Sequence, residues 1–159
     1  MNTKRALLHH CLAVLAYRTQ KALRDAPAHF SSFQAGAGVR TPVELLHHMT
    51  SVLTRTADRL SDTESAPLEQ LPFDGAVDRF HVSLRALAVA LESASLRDDR
   101  LAERLLQGPL SDTMTHVGQL ALLRRLAGSP VEPEDFFRAS ISLENLGPHQ
   151  SMSDERMAP

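Results

Sequence analysis

Asp112 and His116 stand four residues apart in the stretch SDTMTHVGQLALLRRLAG, residues 111–128. Residues at that spacing share one face of a helix. A carboxylate and an imidazole therefore project together, followed on that face by Gln119, Leu120, Leu123 and Ala127. A second imidazole comes from TPVELLHHM, residues 41–49. There His48 falls on the apolar stripe of Leu45, Met49, Val52 and Leu53 and points inward, whereas His47 falls with Glu44, Ser51 and Thr54 and points outward. Two imidazoles and a carboxylate suit Zn²⁺, Ni²⁺, Fe²⁺ or Mn²⁺. Three protein ligands leave coordination positions free for water or substrate, the pattern of a catalytic rather than a closed structural site. Such an ion lowers the pKa of a water or thiol bound to it. Each residue also has a plainer reading. A carboxylate near a helix start is favoured by the unpaired backbone amides there, and His48 is equally compatible with a core histidine whose hydrogen bond is satisfied. Spacing alone leaves these alternatives open.

The elements that must position these groups are helical. A mostly apolar stripe of Leu8, Leu12, Leu15, Thr19 and Leu23 predicts a first helix over residues 3–24, ended by Asp25 and Pro27. Residues 27–40, with Gly36 and Gly38, read as an irregular loop, with a lid as one use for residues 32–40. The second helix has the clearest start: Thr41 as cap, Pro42 in the first turn and Glu44 reaching back, continuing to about residue 60. A polar linker, residues 61–71, precedes a third helix over 73–94 with Phe80, Leu84, Leu87 and Leu91 on its core face. Asp98 or Asp99 is expected to cap a short helix over 100–107, and Gly108-Pro109 to break or kink the chain. The fourth long helix is expected to start on a Ser111 or Asp112 cap and to stop at Gly128. A short helical turn is expected over 134–139, and residues 151–159 read as a frayed tail after a single domain spanning 1–150.

The expected fold class is all-α, a four-helix bundle with an additional short helix. Aromatic residues are only 4% of the chain, with no Trp, so the core must come from Leu, Ala, Val and Met, a composition that suits helices. A formal charge of −2 argues against a general nucleic-acid binder. Cys11 is the only cysteine, which rules out an intrachain disulfide; in a helical stripe it reads as a small core residue. The N-terminal apolar run is interrupted by His9 and His10, unlike a secretory signal, and no stretch approaches the roughly 20 residues that span a bilayer. No membrane association and a cytoplasmic location are the expectation. Phosphate-binding glycine loops, CxxC pairs, HExxH and nucleophile elbows are absent from the sequence, which disfavours nucleotide hydrolysis and zincin proteolysis. His81, next to Phe80, reads as a surface residue, with a place in the site cavity as the alternative; Gln119 is placed to orient a ligand or substrate, or simply to pack. Arg124 and Arg125 read as a solvated helix end.

With a histidine late in TPVELLHHM and a D-x-x-x-H-V-G-Q-L segment leading to RRLAG, most of the chain resembles the DinB-like superfamily of helical-bundle proteins. The resemblance implies a divalent metal held by His48, Asp112 and His116. It departs from the family at Asp112, where His or Glu is more usual and where aspartate is one methylene shorter than glutamate. It further implies a homodimer and a metal-activated thiol or water acting on a small electrophilic substrate, as in thiol S-transferases or hydrolases, with a low-molecular-weight thiol as cosubstrate. The competing expectation is a non-catalytic, dimeric binding or stress-response module with a degenerate metal site.

Overall fold

The structure, a computed structural model, describes residues 3–96 and 99–149. It is all-helical, with no strand among the described residues. Helix α1 spans Thr3–Leu23, α2 Pro42–Ser61, α3 Phe73–Ser93, α4 Asp99–Leu105 and α5 Ser111–Leu126. Helices α4 and α5 are joined by a π-helical turn, Leu106–Leu110, so the last long helix is continuous through Gly108 and Pro109.

Side-chain contacts fix the directions of the helices. Arg5, at the start of α1, donates to the carbonyls of Leu91 and Ala94 at the end of α3 (2.8 and 2.9 Å). Arg124, near the end of α5, donates to the carbonyls of Ala22 and Arg24 at the end of α1 (3.1 and 2.9 Å). His47, near the start of α2, bonds Leu71 just before α3. So α1 and α4–α5 run one way, α2 and α3 the other, and the connection 62–72 runs back along α2. In cross-section α2 packs between α3 and α5, and α1 packs on their other sides. The core between them is Leu-rich, with Leu12, Leu15, Leu46, Met49, Leu53, Phe80 and Leu84 fully buried. Both arginines answer the same need: the last carbonyls of a helix have no partner within it, and here a neighbouring helix supplies the donors.

Helix α2 starts as its sequence dictates. The Thr41 hydroxyl accepts from the Glu44 N–H (3.4 Å), and the Glu44 carboxylate accepts from the Thr41 N–H (2.7 Å). At the far end of α5, Gly128 takes φ 77°, and the amides of Gly128 and Ser129 return to the carbonyls of Arg125 and Arg124, the Schellman closure that favours glycine.

Several expectations are modified. Of the break or kink expected at Gly108-Pro109, the break does not occur: the helix continues through a π turn. The π turn widens the spiral around the proline ring; the Ser111 N–H reaches back to the Leu106 and Gly108 carbonyls, and the hydroxyls of Ser111 and Thr113 bond the carbonyls of Leu106 and Pro109 (2.6 and 2.7 Å). The short helix is therefore an extension of the fourth. For the same reason neither Ser111 nor Asp112 caps anything: the chain is already helical at Leu110. Asp98 lies outside the described residues, as does the expected tail 151–159, and Asp99 is itself helical. The loop after α1 contains a 3₁₀ turn, Ala28–Ser32, that buries Phe30 completely against Phe73. Residues 134–139 form no helix, only a turn at 136–138. Glu134 there accepts from the Tyr17 hydroxyl and pairs with Lys21 at 2.6 Å, while Phe136 lies beneath the Arg18 guanidinium at 4.0 Å. These tertiary contacts hold the segment extended along α1.

Candidate metal centre

His48 and His116 face each other across the α2–α5 seam, their rings perpendicular and 4.7 Å apart between centroids. Asp112 lies one turn before His116 and spans both: its oxygens stand 3.4 Å from His48 Nε2 and 3.5 Å from His116 Nε2. One donor atom from each residue falls within 4.8 Å of the other two. The residues that periodicity selected on separate helices are thus brought together. His47, one residue earlier, turns away and bonds Leu71 instead.

The spacing is long for direct hydrogen bonding and leaves room for an ion. N–H···O hydrogen bonds cluster near 2.9 Å, so 3.4 and 3.5 Å are too long for a pair of good ones. Donors bound tetrahedrally at about 2.0–2.1 Å stand about 3.3 Å apart, close to each separation taken singly; the two are made by different oxygens of Asp112, and one donor atom from each residue spans up to 4.8 Å. The donor chemistry also fits: two imidazole nitrogens and a carboxylate oxygen are borderline ligands for Zn²⁺ and its first-row neighbours.

Each candidate ligand is held by something specific. The His116 side chain is only 9% exposed, and its Nδ1–H donates to Gln119 Oε1 at 2.8 Å. That bond leaves the Nε2 lone pair directed at Asp112, the arrangement in which an imidazole can bind a metal. Gln119, one turn on, is thus hydrogen-bonded to the His116 ring and fixes its orientation. His48 is 28% exposed; burial first, then the charges of Arg40 and His116, push its pKa down against the opposing pull of Asp112. A neutral imidazole, the form that ligates, is thereby favoured. Asp112 is the open side, at 46% exposure, and borders a broad cleft that also contains Arg55, Arg59 and Thr115. The inward orientation expected of its carboxylate is thus only partial.

His81 belongs elsewhere and is not at the surface. It is fully buried in α3, its Nδ1 bonded to the Leu146 carbonyl at 2.9 Å and its ring edge-on to Phe80. Burial pulls its pKa down to about 4. It anchors the C-terminal segment instead of supporting a ligand. The signal missed was Leu146, an apolar residue in a stretch without periodicity, which closes over it. Arg124 likewise is not a solvated cation. It is 3% exposed and spends its donors on carbonyls at the end of α1 and on Ser129, so its guanidinium is turned away from any anionic substrate. Cys11 is half-buried, and desolvation raises its thiol pKa, which makes it a poor nucleophile.

No helix is long and apolar enough to cross a membrane among the described residues. No protein-family model, no curated protein and no solved structure matches this chain.

Proposed function

We propose that the chain is a divalent-metal-dependent enzyme of the DinB-like kind, acting on a small electrophilic substrate as a thiol S-transferase or hydrolase. The observation that carries this reading is the convergence of one donor atom each from His48, Asp112 and His116, on two helices, within 4.8 Å of one another. These three residues would hold Zn²⁺, Ni²⁺, Fe²⁺ or Mn²⁺. The ion would supply Lewis acidity and a lowered pKa to a water or low-molecular-weight thiol. The chain's own residues do the rest. Gln119 fixes the His116 tautomer, Arg40 disfavours protonation of His48, and the exposed edge of Asp112 leaves the cleft side of the centre accessible to a substrate.

A second reading has one observation in its favour. Leu7 and Leu106, 66% and 54% exposed, border an apolar groove with Cys11 and Ala102 between α1 and α4. Such a surface suits a non-catalytic homodimer in which the metal site is vestigial.

Elemental analysis of tag-free protein, with His48→Ala and His116→Ala beside it and circular dichroism to verify folding, decides between them. The enzyme reading expects about one ion per chain, lost from both variants. Wild-type protein that stays metal-free after incubation with each of the four ions overturns it and leaves the dimeric module.

A further inference from the structure

Helix α2 has a second face that is polar and yet covered. His47, Thr50, Ser51, Thr54 and Asp58 lie along it, and the connection from α2 to α3 runs back over them. That connection is pinned at both ends. The Asp58 carboxylate accepts from the Ser65 N–H and hydroxyl (3.1 and 2.7 Å), and His47 Nε2 stands 3.0 Å from the Leu71 carbonyl and 3.2 Å from its N–H, bonding one or the other according to its tautomer. Between the pins lies a cavity of ≈ 290 Å³, bordered on its other sides by Leu68 of the connection, Arg55 of α2 and Arg79 of α3.

A face that a loop covers is normally apolar, because a polar group buried without a partner costs free energy. Here two polar atoms are left in that condition. Thr50, only 2% exposed, has no partner for its hydroxyl, and His47 Nδ1 has none either. Both residues line the cavity. The cations are unspent as well. Half-buried Arg79 makes no hydrogen bond or ion pair among the described residues, and Arg55 commits only Nε, to the Ser51 carbonyl (3.2 Å). Of the two acidic groups on the wall, Asp58 is occupied by Ser65 and Thr63, and Glu69 sits on the exposed rim. Buried unsatisfied groups in a native protein call for a partner. Two arginines on the wall beside a free hydroxyl specify its chemistry: anionic oxygens, which guanidinium donors take.

We propose that this cavity binds a small organic anion, a carboxylate or phosphate monoester with a short apolar group that packs on Leu68. Arg55 also borders the cleft beside Asp112, but His47, Thr50 and Arg79 do not, and the site does not depend on metal at the His48–Asp112–His116 centre, since His47 and His48 look out from different faces of α2. Its volume is at the small end of ligand sites, which limits the occupant to a few heavy atoms beyond its head group.

The test is an NMR titration of the isotope-labelled full chain with hexanoate and, separately, inorganic phosphate, following the amides of residues 65–71 and the arginine Nε–H signals. Saturable shifts confined to that connection and Arg79 are expected with at least one probe, and which probe acts identifies the head group. Arg79→Gln and Thr50→Val, each checked for native folding, should weaken binding at least about tenfold, a loss of 1.4 kcal/mol. His116→Ala should bind as the wild type does, so failure of the metal reading leaves this result standing. No saturable shift with either probe at about 50 mM, or undiminished affinity in both folded cavity variants, overturns the proposal; the cavity then holds water alone.

Discussion

His116 and His81 make nearly the same hydrogen bond and serve opposite ends. Each ring engages an oxygen through Nδ1, Gln119 Oε1 at 2.8 Å in one case and the Leu146 carbonyl at 2.9 Å in the other. The second nitrogen separates them. His116 Nε2 faces a carboxylate and another imidazole at a seam open to solvent, whereas His81 Nε2 is buried with no partner at all. A bond at Nδ1 selects a tautomer; it does not make a ligand. What Nε2 looks at decides whether the ring is available for chemistry or serves as a latch on the chain end.

The comparison breaks if the two rings prove interchangeable. The largest effect expected is on stability at the latch. His81→Ala empties a fully enclosed position and releases Leu146, at a cost of about 2–5 kcal/mol, with metal stoichiometry unchanged. Urea unfolding paired with elemental analysis measures both, and loss of the ion in a folded His81→Ala protein would refute the separation of roles. Next in size is an acid effect. Burial holds the His81 imidazole at about 4 against 6.5 for the free side chain, so the unfolded chain takes up a proton that the folded chain refuses. This contribution to stability is complete above pH 6.5 and is lost as pH falls toward 4, by at most about 3 kcal/mol. Denaturation midpoints across that window should show the slope in wild-type protein and lose it in His81→Leu. The smallest effect sharpens the seam side. Gln119→Leu removes the group that orients His116 and should weaken metal affinity about 10–100-fold while leaving the ion bound at saturation. An unaltered affinity in a competition titration with a chelating dye would mean that His116 needs no orienting partner.

The helices and the site were legible to different degrees, for physical reasons. The α2 capping box is a local event among Thr41, Pro42 and Glu44, and it formed as its residues dictate. His48 was separable from His47 because α2 has a sharply apolar side, so one residue of rotation distinguishes seam from covered face. Gly108-Pro109 misled because the rule that proline ends helices is itself local. A turn of wider pitch, with Ser111 and Thr113 hydroxyls on the loosened carbonyls, lets the chain continue. Arg124 and His81 misled because their partners are remote in sequence. Arg124 finds carbonyls about a hundred residues earlier, and His81 finds one 65 residues later. Neither partner is a side chain, so composition carries no trace of them. His47 does turn away from the seam, as its polar stripe implies, but the connection after α2 folds back over that stripe, a contact that periodicity within α2 cannot show.

The π turn at Leu106–Leu110 has a consequence for the timing of the last helix. Before it, the residues turned to the core are Leu101, Ala102 and Leu105; after it they are Leu110, Thr113, His116, Val117 and Leu120. A regular helix continuing from Leu105 would present residues near 108–109 and 112 to the core. The turn inserts one residue of phase, and both halves keep an inward side although their rhythms do not match. Asp112 is thereby carried from the core side to the rim, where it meets both histidines at the seam. Deleting a single residue within 106–110 would resynchronise the helix and force a choice between seating α4 and keeping Asp112 at the rim.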